Sequence, residues 1–262
     1  MDRMRDPVET ASAVGRAGGG GGVGKPAGLA LMVGVVLTFV GSIFMPGNLL
    51  IDRADPTDYR ETMQVLGDSA VLAQWMTFIT LISLVVMSLG ILGLYPLAKR
   101  QGGLSGRLLQ CGIIVSILEW SVLIIASGMR HFSIHLLQRA ELGDYGSLTV
   151  ADFAEGALAV HTNAAAVTLT FMALFPLATL LLGLGLTPRF GSMDVYKTAS
   201  VLMVLGGLLG VVNFIVALNA PDLGLDLLLY VNNSALYILG ICLFIIGLGM
   251  YQGKSELSLE AA

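Results

Sequence analysis

The stretch VLAQWMTFITLISLVVMSLGILGLYPL, residues 71–97, contains no charged side chain in 27 residues. A hydrocarbon layer about 30 Å thick is crossed by about 20 apolar residues in helical conformation. Lipid offers no hydrogen-bond partner to an open backbone, and the strands of a barrel would be shorter and would alternate in polarity. Residues 71–97 therefore predict a transmembrane helix.

Five further runs have the same character, so the sequence predicts an all-α, polytopic membrane bundle of six transmembrane helices. The predicted spans are 27–45, 71–97, 108–129, 158–187, 198–219 and 227–250. Hydrophobic residues make up 55% of the chain, which leaves little sequence for a separate soluble domain. We expect a disordered Gly-rich cytoplasmic tail over 1–25, a six-helix domain over 26–251 and a short cytoplasmic tail over 252–262.

The distribution of Lys and Arg predicts the orientation of this bundle. Ten of the 14 lie in the N-terminal tail, the second and fourth gaps and the C-terminal tail. Both termini are therefore expected in the cytoplasm, with the protein in the inner membrane of a bacterium. The opposite side carries most of the carboxylates, which either only ease translocation of the loops or attract cations or a basic partner.

The first gap on the acidic side predicts a short interfacial helix. Asp55 and Pro56 resemble an N-cap and a first helical residue. The apolar side chains of Tyr59, Met63 and Leu66 then fall on one helical face, as they would in a helix lying at the membrane surface.

The third gap predicts that helix four extends beyond the membrane. Thr149-x-x-Asp152 resembles a capping box, with Asp in place of Glu. We therefore expect helix four to begin near residue 150 and to project above the bilayer. Pro176, inside the same span, is expected to kink the helix.

Glu119 is the most unusual residue of the spans because it lies midway along span three. A charged carboxylate there costs about 3 kcal/mol on insertion scales, so we expect it to be protonated or paired. Arg130, about 16 Å further along the helix, is too far away for a direct pair. Glu119 is either a proton or cation site or one end of a hydrogen bond between helices.

The three histidines predict a possible metal or haem site. His131 and His135 are one helical turn apart, and His161 lies near the outer end of span four. Adjacent antiparallel helices could bring the three together, with Glu155 or Asp152 as an oxygen ligand. Such a set suits zinc, copper or iron, and two of the histidines could hold one haem. The alternative is that all three are solvated at the interface and that no cofactor is bound.

Several amides extend the polar character of the spans. The asparagines of interest are Asn163, Asn213, Asn232 and Asn233. Together with Glu119 they define either an outward-opening cavity or a set of hydrogen bonds that hold the bundle together. Gly206-x-x-x-Gly210 predicts close helix packing, and Asn213 would extend that contact by hydrogen bonding.

The layout resembles a group of bacterial six-helix membrane proteins known only as a domain of unknown function. The residues that carry this resemblance are Leu94-Tyr95-Pro96-Leu97, Glu119 and Pro188-Arg189-Phe190-Gly191, within 80–200. The resemblance implies a fold and no particular activity.

The function favoured by the sequence is that of a structural or interaction subunit in the lipid bilayer. No nucleophile–base pair, cofactor motif or large loop is recognisable, so an enzyme is disfavoured and no catalytic residue is assigned. The partner would be another membrane protein or a second copy. A net charge of −4 without a basic aromatic patch argues against nucleic acid. The alternatives are a metal- or haem-binding protein and a small transporter or proton-coupled carrier using Glu119.

Overall fold

The computed structural model describes residues 24–219 and 224–258, so the predicted N-terminal tail lies almost entirely outside the described residues. The regular elements of the described part are helices. They are α1 (Gly24–Ile43), α2 (Tyr59–Asp68), α3 (Ala70–Leu92), α4 (Tyr95–Gln101), α5 (Gly103–Glu141), α6 (Val150–Leu186), α7 (Val195–Asn219) and α8 (Gly224–Gln252). Short 3-10 turns follow α6 at Thr187–Arg189 and α8 at Ser255–Leu257.

Six helical segments of the described part are long and apolar enough to cross a membrane, as the sequence predicts. They are α1, α3 continued by α4, α5, α6, α7 and the part of α8 from Leu228. The helices pack as a closed ring in the order α1, α3, α5, α6, α7, α8 and back to α1. One hydrophobic core fills this ring, and it includes large side chains from all six, among them Leu31, Leu84, Trp120, Phe175, Met203 and Leu239.

Glycines bring α5 and α6 into backbone contact near one end of the ring. Gly185 lies against the backbone of Leu109, and Gly112 lies against the backbone of Leu182. A side chain at either glycine would collide with the facing helix. Helices in lipid associate through close packing rather than through the hydrophobic effect, so this contact fixes their register.

Both α5 and α6 are longer than a bilayer requires. They contain 39 and 37 residues, which at 1.5 Å per residue is more than 50 Å of helix. The excess length of both helices lies at the same end, where α2 packs across it. A second hydrophobic cluster fills this junction, formed by Met45, Met63, Leu66, Ala70, Ala73, Ile134 and Ala157. We call α2, residues 130–141 and residues 150–162 the cap, and this end of the bundle the cap end.

The start of α6 confirms the predicted capping box. The Thr149 hydroxyl accepts a hydrogen bond from the Asp152 amide, and the Asp152 carboxylate accepts one from the Thr149 amide. Helix α6 therefore begins at Val150. Pro176 lies within α6, which continues through it as one helix.

The predicted start of the short helix is wrong by three residues. Asp58, not Asp55, is the N-cap of α2, because its carboxylate accepts from the amides of Arg60 and Glu61. Asp55 instead accepts from the amide and hydroxyl of Thr57, which forms the turn before the helix. The predicted apolar face is present, since Met63 and Leu66 are both buried.

At the other end of the bundle, the C-terminal segment packs on the junction between α6 and α7. Arg189 donates to the Glu256 carbonyl oxygen at 2.6 Å and to the Gln101 side chain at 3.3 Å. The Lys254 ammonium lies 3.0 Å from the Asp194 carboxylate. We call this the tail end. It joins α4, α6, α7 and the residues after α8.

Candidate functional site

Glu119 lies in the contact between α5 and α6. Gly112 faces Leu182 nearer the tail end, and Ser133 donates to the Ala157 carbonyl at 2.7 Å nearer the cap end. Between these two points the register places Glu119 opposite residues 171–175 of α6. Its side chain is only 2% exposed, so it faces the protein and not the lipid.

The carboxyl group of Glu119 is incompletely hydrogen bonded. Its Oε2 atom is buried and has no hydrogen-bond partner among the described residues. Ser116 and Ser127 are buried on the same helix, but neither is bonded to it. The Oε2 atom can therefore carry a proton or accept a hydrogen bond from a small polar partner.

The four asparagines do not form one polar zone. Asn163 and Asn233 are exposed on the outside of the ring, whereas Asn232 is buried and Asn213 is half-buried. The Asn213 amide donates to the Leu228 carbonyl of α8 at 3.5 Å. Since Leu228 precedes Asn232 by one helical turn, Asn213 and Asn232 belong to the same contact between α7 and α8.

The two glycines of the Gly206-x-x-x-Gly210 pattern pack against different helices. Gly206 lies against Leu239 of α8, whereas Gly210 lies against the ring of Pro176 in α6. The pattern therefore predicts close packing correctly, but it does not form a single interface. The backbone approach of α6 and α7 is closest at Gly207, which meets the backbone of Leu180.

The predicted metal ligands are not brought together. His131, His135 and Glu155 are exposed, whereas His161 is buried. Within residues 24–219 and 224–258, no group of three His, Cys, Asp or Glu side chains is placed to hold a metal ion. The physical reason is helical geometry: one residue along a helix turns the side chain by about 100°, so His131 points away from the face that meets α6.

Arg130 occupies the position on α5 that His131 was expected to fill. The Ser133–Ala157 contact sets the register at the cap end, and three residues before it Arg130 comes level with His161. The sequence does not indicate that Arg130 lies level with the α6 histidine, because that depends on the register between the two helices.

The aromatic ring of Tyr59, in α2, packs against His161. The two rings meet edge to face, with centroids 5.8 Å apart. Tyr59 also lines an open cleft of about 460 Å3. The residues that line it are Thr57, Asp58, Tyr59, Arg60, Leu158 and Thr162.

Comparison with known proteins adds no assignment. No family model, no curated protein and no solved structure matches the chain. The resemblance to the six-helix bacterial group therefore depends on the quoted residues alone.

Proposed function

We propose that this chain is a multi-pass subunit of the bacterial inner membrane that recognises another membrane protein and catalyses no reaction. The positive-inside bias supports cytoplasmic termini, which would place the cap on the outer side of the membrane. The partner in this proposal binds the cap.

The observation that supports the proposal most strongly is the construction of the cap. A bundle that only spans the bilayer needs neither the extra length of α5 and α6 nor a second hydrophobic cluster. Ser133 ties three helices together here, with its hydroxyl donating to the Ala157 carbonyl and contacting the Met63 sulfur at 3.5 Å. A fixed surface of this kind is suited to recognition, because little conformational entropy is lost on binding.

The charge of the cap indicates the kind of partner. The cap and its flanking loops expose many carboxylates: Asp52, Asp55, Asp58, Glu61, Asp68, Glu141, Asp144, Asp152 and Glu155. Of the nearby arginines, Arg139 stacks over the Tyr145 ring at 4.4 Å instead of neutralising an acid. A partner with a basic surface is therefore favoured by electrostatic complementarity.

A photo-crosslinking comparison tests this proposal. Leu142 at the cap end and Leu104 at the tail end are 74% and 75% exposed, so they form a matched pair for substitution by a photoreactive residue. We expect a discrete protein adduct in native membranes from position 142 and none from position 104. Equal adducts from both positions, or none from position 142, would contradict the proposal.

Orientation is tested with the same two positions. Single cysteines at 142 and 104, in a background without Cys111 and Cys242, would be exposed to a membrane-impermeant maleimide in intact cells. The proposed orientation requires labelling at 142 in intact cells and at 104 only after permeabilisation.

The second candidate is a proton-coupled carrier that uses Glu119. The unpartnered, buried Oε2 atom supports this alternative, because intramembrane acids commonly mark proton or ion pathways. The test is the infrared carbonyl stretch of a protonated carboxyl group, with Glu119→Gln as the blank. A band that disappears reversibly with rising pH favours the carrier, and a band present at every pH favours a structural hydrogen bond.

A further inference from the structure

Arg130 has no anionic partner among the described residues. It is half-buried at the cap end of α5, directly after the apolar stretch of span three. In the described part of the chain it makes neither a hydrogen bond nor an ion pair. Arginine does not lose its charge in proteins, and a partly buried charge is costly unless it is paired. The described residues do not supply the missing negative group.

His161 provides a second unsatisfied group at the same place. Its side chain is 8% exposed, and its Nδ1 atom is buried without a hydrogen-bond partner among the described residues. The Ser133–Ala157 hydrogen bond places Arg130 and His161 at about the same level on adjacent helices. Two side chains at this level therefore lack hydrogen-bond partners among the described residues.

The carboxylates nearby do not fill this place. Asp58 lines the cleft, but its side chain accepts from the amides of Arg60 and Glu61 and so caps α2. Glu155, one and a half turns before His161, is exposed. No acid in the described residues lies within ion-pair distance of Arg130.

The cleft offers a route to these two groups. Leu158 and Thr162 line it and are the neighbours of His161 on α6. The Tyr59 ring lies at the boundary, since it lines the cleft on one side and contacts the His161 ring on the other. The cleft therefore reaches the ring that contacts His161. Arg60 at the cleft mouth adds a further positive charge.

We propose that Arg130 and His161 form a binding site for a phosphate group. The phosphate enters through the cleft that Tyr59 lines. Planar guanidinium groups bind phosphate oxygens through two parallel hydrogen bonds, and the imidazole adds a third. The phosphate comes either from a lipid headgroup, because the site lies at the end of an apolar span, or from a solute.

The test uses the full-length protein in an uncharged detergent and measures the rise in melting temperature with ligand concentration. Three probes separate the sources: inorganic phosphate, lysophosphatidylglycerol and a monoacylglycerol of the same chain length. A headgroup site responds to the lysolipid only, a solute site responds to inorganic phosphate as well, and neither responds to the monoacylglycerol.

The variants identify the residues that bind. We expect Arg130→Gln to weaken binding by about 10- to 100-fold, which corresponds to the loss of a hydrogen-bonded charge. His161→Phe keeps a ring against Tyr59 and should weaken binding by less. Arg139→Gln is the control, because it removes an arginine of the same helix whose guanidinium already stacks on Tyr145.

If Arg130→Gln does not fold, Arg130→Lys is the variant to test instead. It keeps the charge but loses the two-pronged geometry, so it should fold and bind more weakly than the wild type. The proposal is overturned if the phosphate probes do not stabilise the wild type. It is also overturned if Arg130→Gln and Arg130→Lys, both folded, bind as tightly as Arg139→Gln.

Discussion

The basic side chains at the two ends of the bundle differ in whether they have partners in the described residues. At the tail end, Arg189 donates to the Glu256 carbonyl and to Gln101, and Lys254 pairs with Asp194. At the cap end, Arg130 has no anionic partner in the described residues, and the buried Nδ1 atom of His161 has no hydrogen-bond partner there. The tail-end charges hold the chain together, whereas in our proposal Arg130 at the cap end binds a ligand. This contrast distinguishes a structural arginine from one kept for binding.

The largest expected effect compares the two arginines directly. Arg189→Gln should lower the free energy of unfolding by about 3 kcal/mol, because two hydrogen bonds from a charged donor are lost. Arg130→Gln should not lower it without ligand, because no bond is lost and an unpaired, partly buried charge is removed. Denaturant unfolding of the purified variants measures both. A similar loss for both would remove the distinction between the ends.

The helix contact that links the two ends gives the next effect. Gly112→Val should cost about 2 kcal/mol, because its side chain would collide with the backbone of Leu182. Gly128→Val is the control on the same helix, since nothing lies within 4 Å of a Cβ atom added there. If the two variants melt at the same temperature, α5 and α6 are not packed as described and the placement of Arg130 opposite His161 is wrong.

A smaller effect is expected at the start of α6. Thr149→Ala removes the hydroxyl of the capping box and should cost about 1 kcal/mol. Thr149→Ser should be close to the wild type. Hydrogen exchange is the suitable measurement, because we expect faster exchange in the first turns of α6 and unchanged exchange at the tail end. Equal acceleration at both ends would mean that the cap is not a separate unit.

The smallest effect is a pH dependence of the tail end. The amide of Lys197 and the ammonium of Lys254 lower the pKa of Asp194 below its usual value near 3.8. The stabilisation is therefore present above that value and is lost as the pH falls through the lowered pKa. Asp194→Asn should remove this acid sensitivity from proteolysis of the C-terminal segment. If the variant is as sensitive to acid as the wild type, a titrating group other than Asp194 causes the acid sensitivity.

The sequence predicts the six long apolar helices well, because apolar runs are long and composition alone identifies them. It also predicts the start of α6, since Thr149 and Asp152 act locally. It misplaces the N-cap of α2. Asp55 and Asp58 are both suited to cap the start of a helix, and only the packing of Met63 and Leu66 selects between them.

The candidate site is less predictable because it depends on the rotation of α5. Spacing within one helix shows that His131 and His135 share a face, but not which neighbour that face meets. The register with α6 places Arg130 level with His161, whereas both other histidines are exposed. The only signal in the sequence is the position of Arg130 directly after an apolar span, which does not reveal its partner.

The most direct test of the contrast between the two ends is the shift in melting temperature that lysophosphatidylglycerol causes in three proteins. The account predicts the same upward shift in the wild type and in Arg189→Gln, although the latter starts from a lower temperature. It predicts little or no shift in Arg130→Gln. A shift that survives Arg130→Gln and disappears in Arg189→Gln would place the phosphate at the tail end and contradict the account.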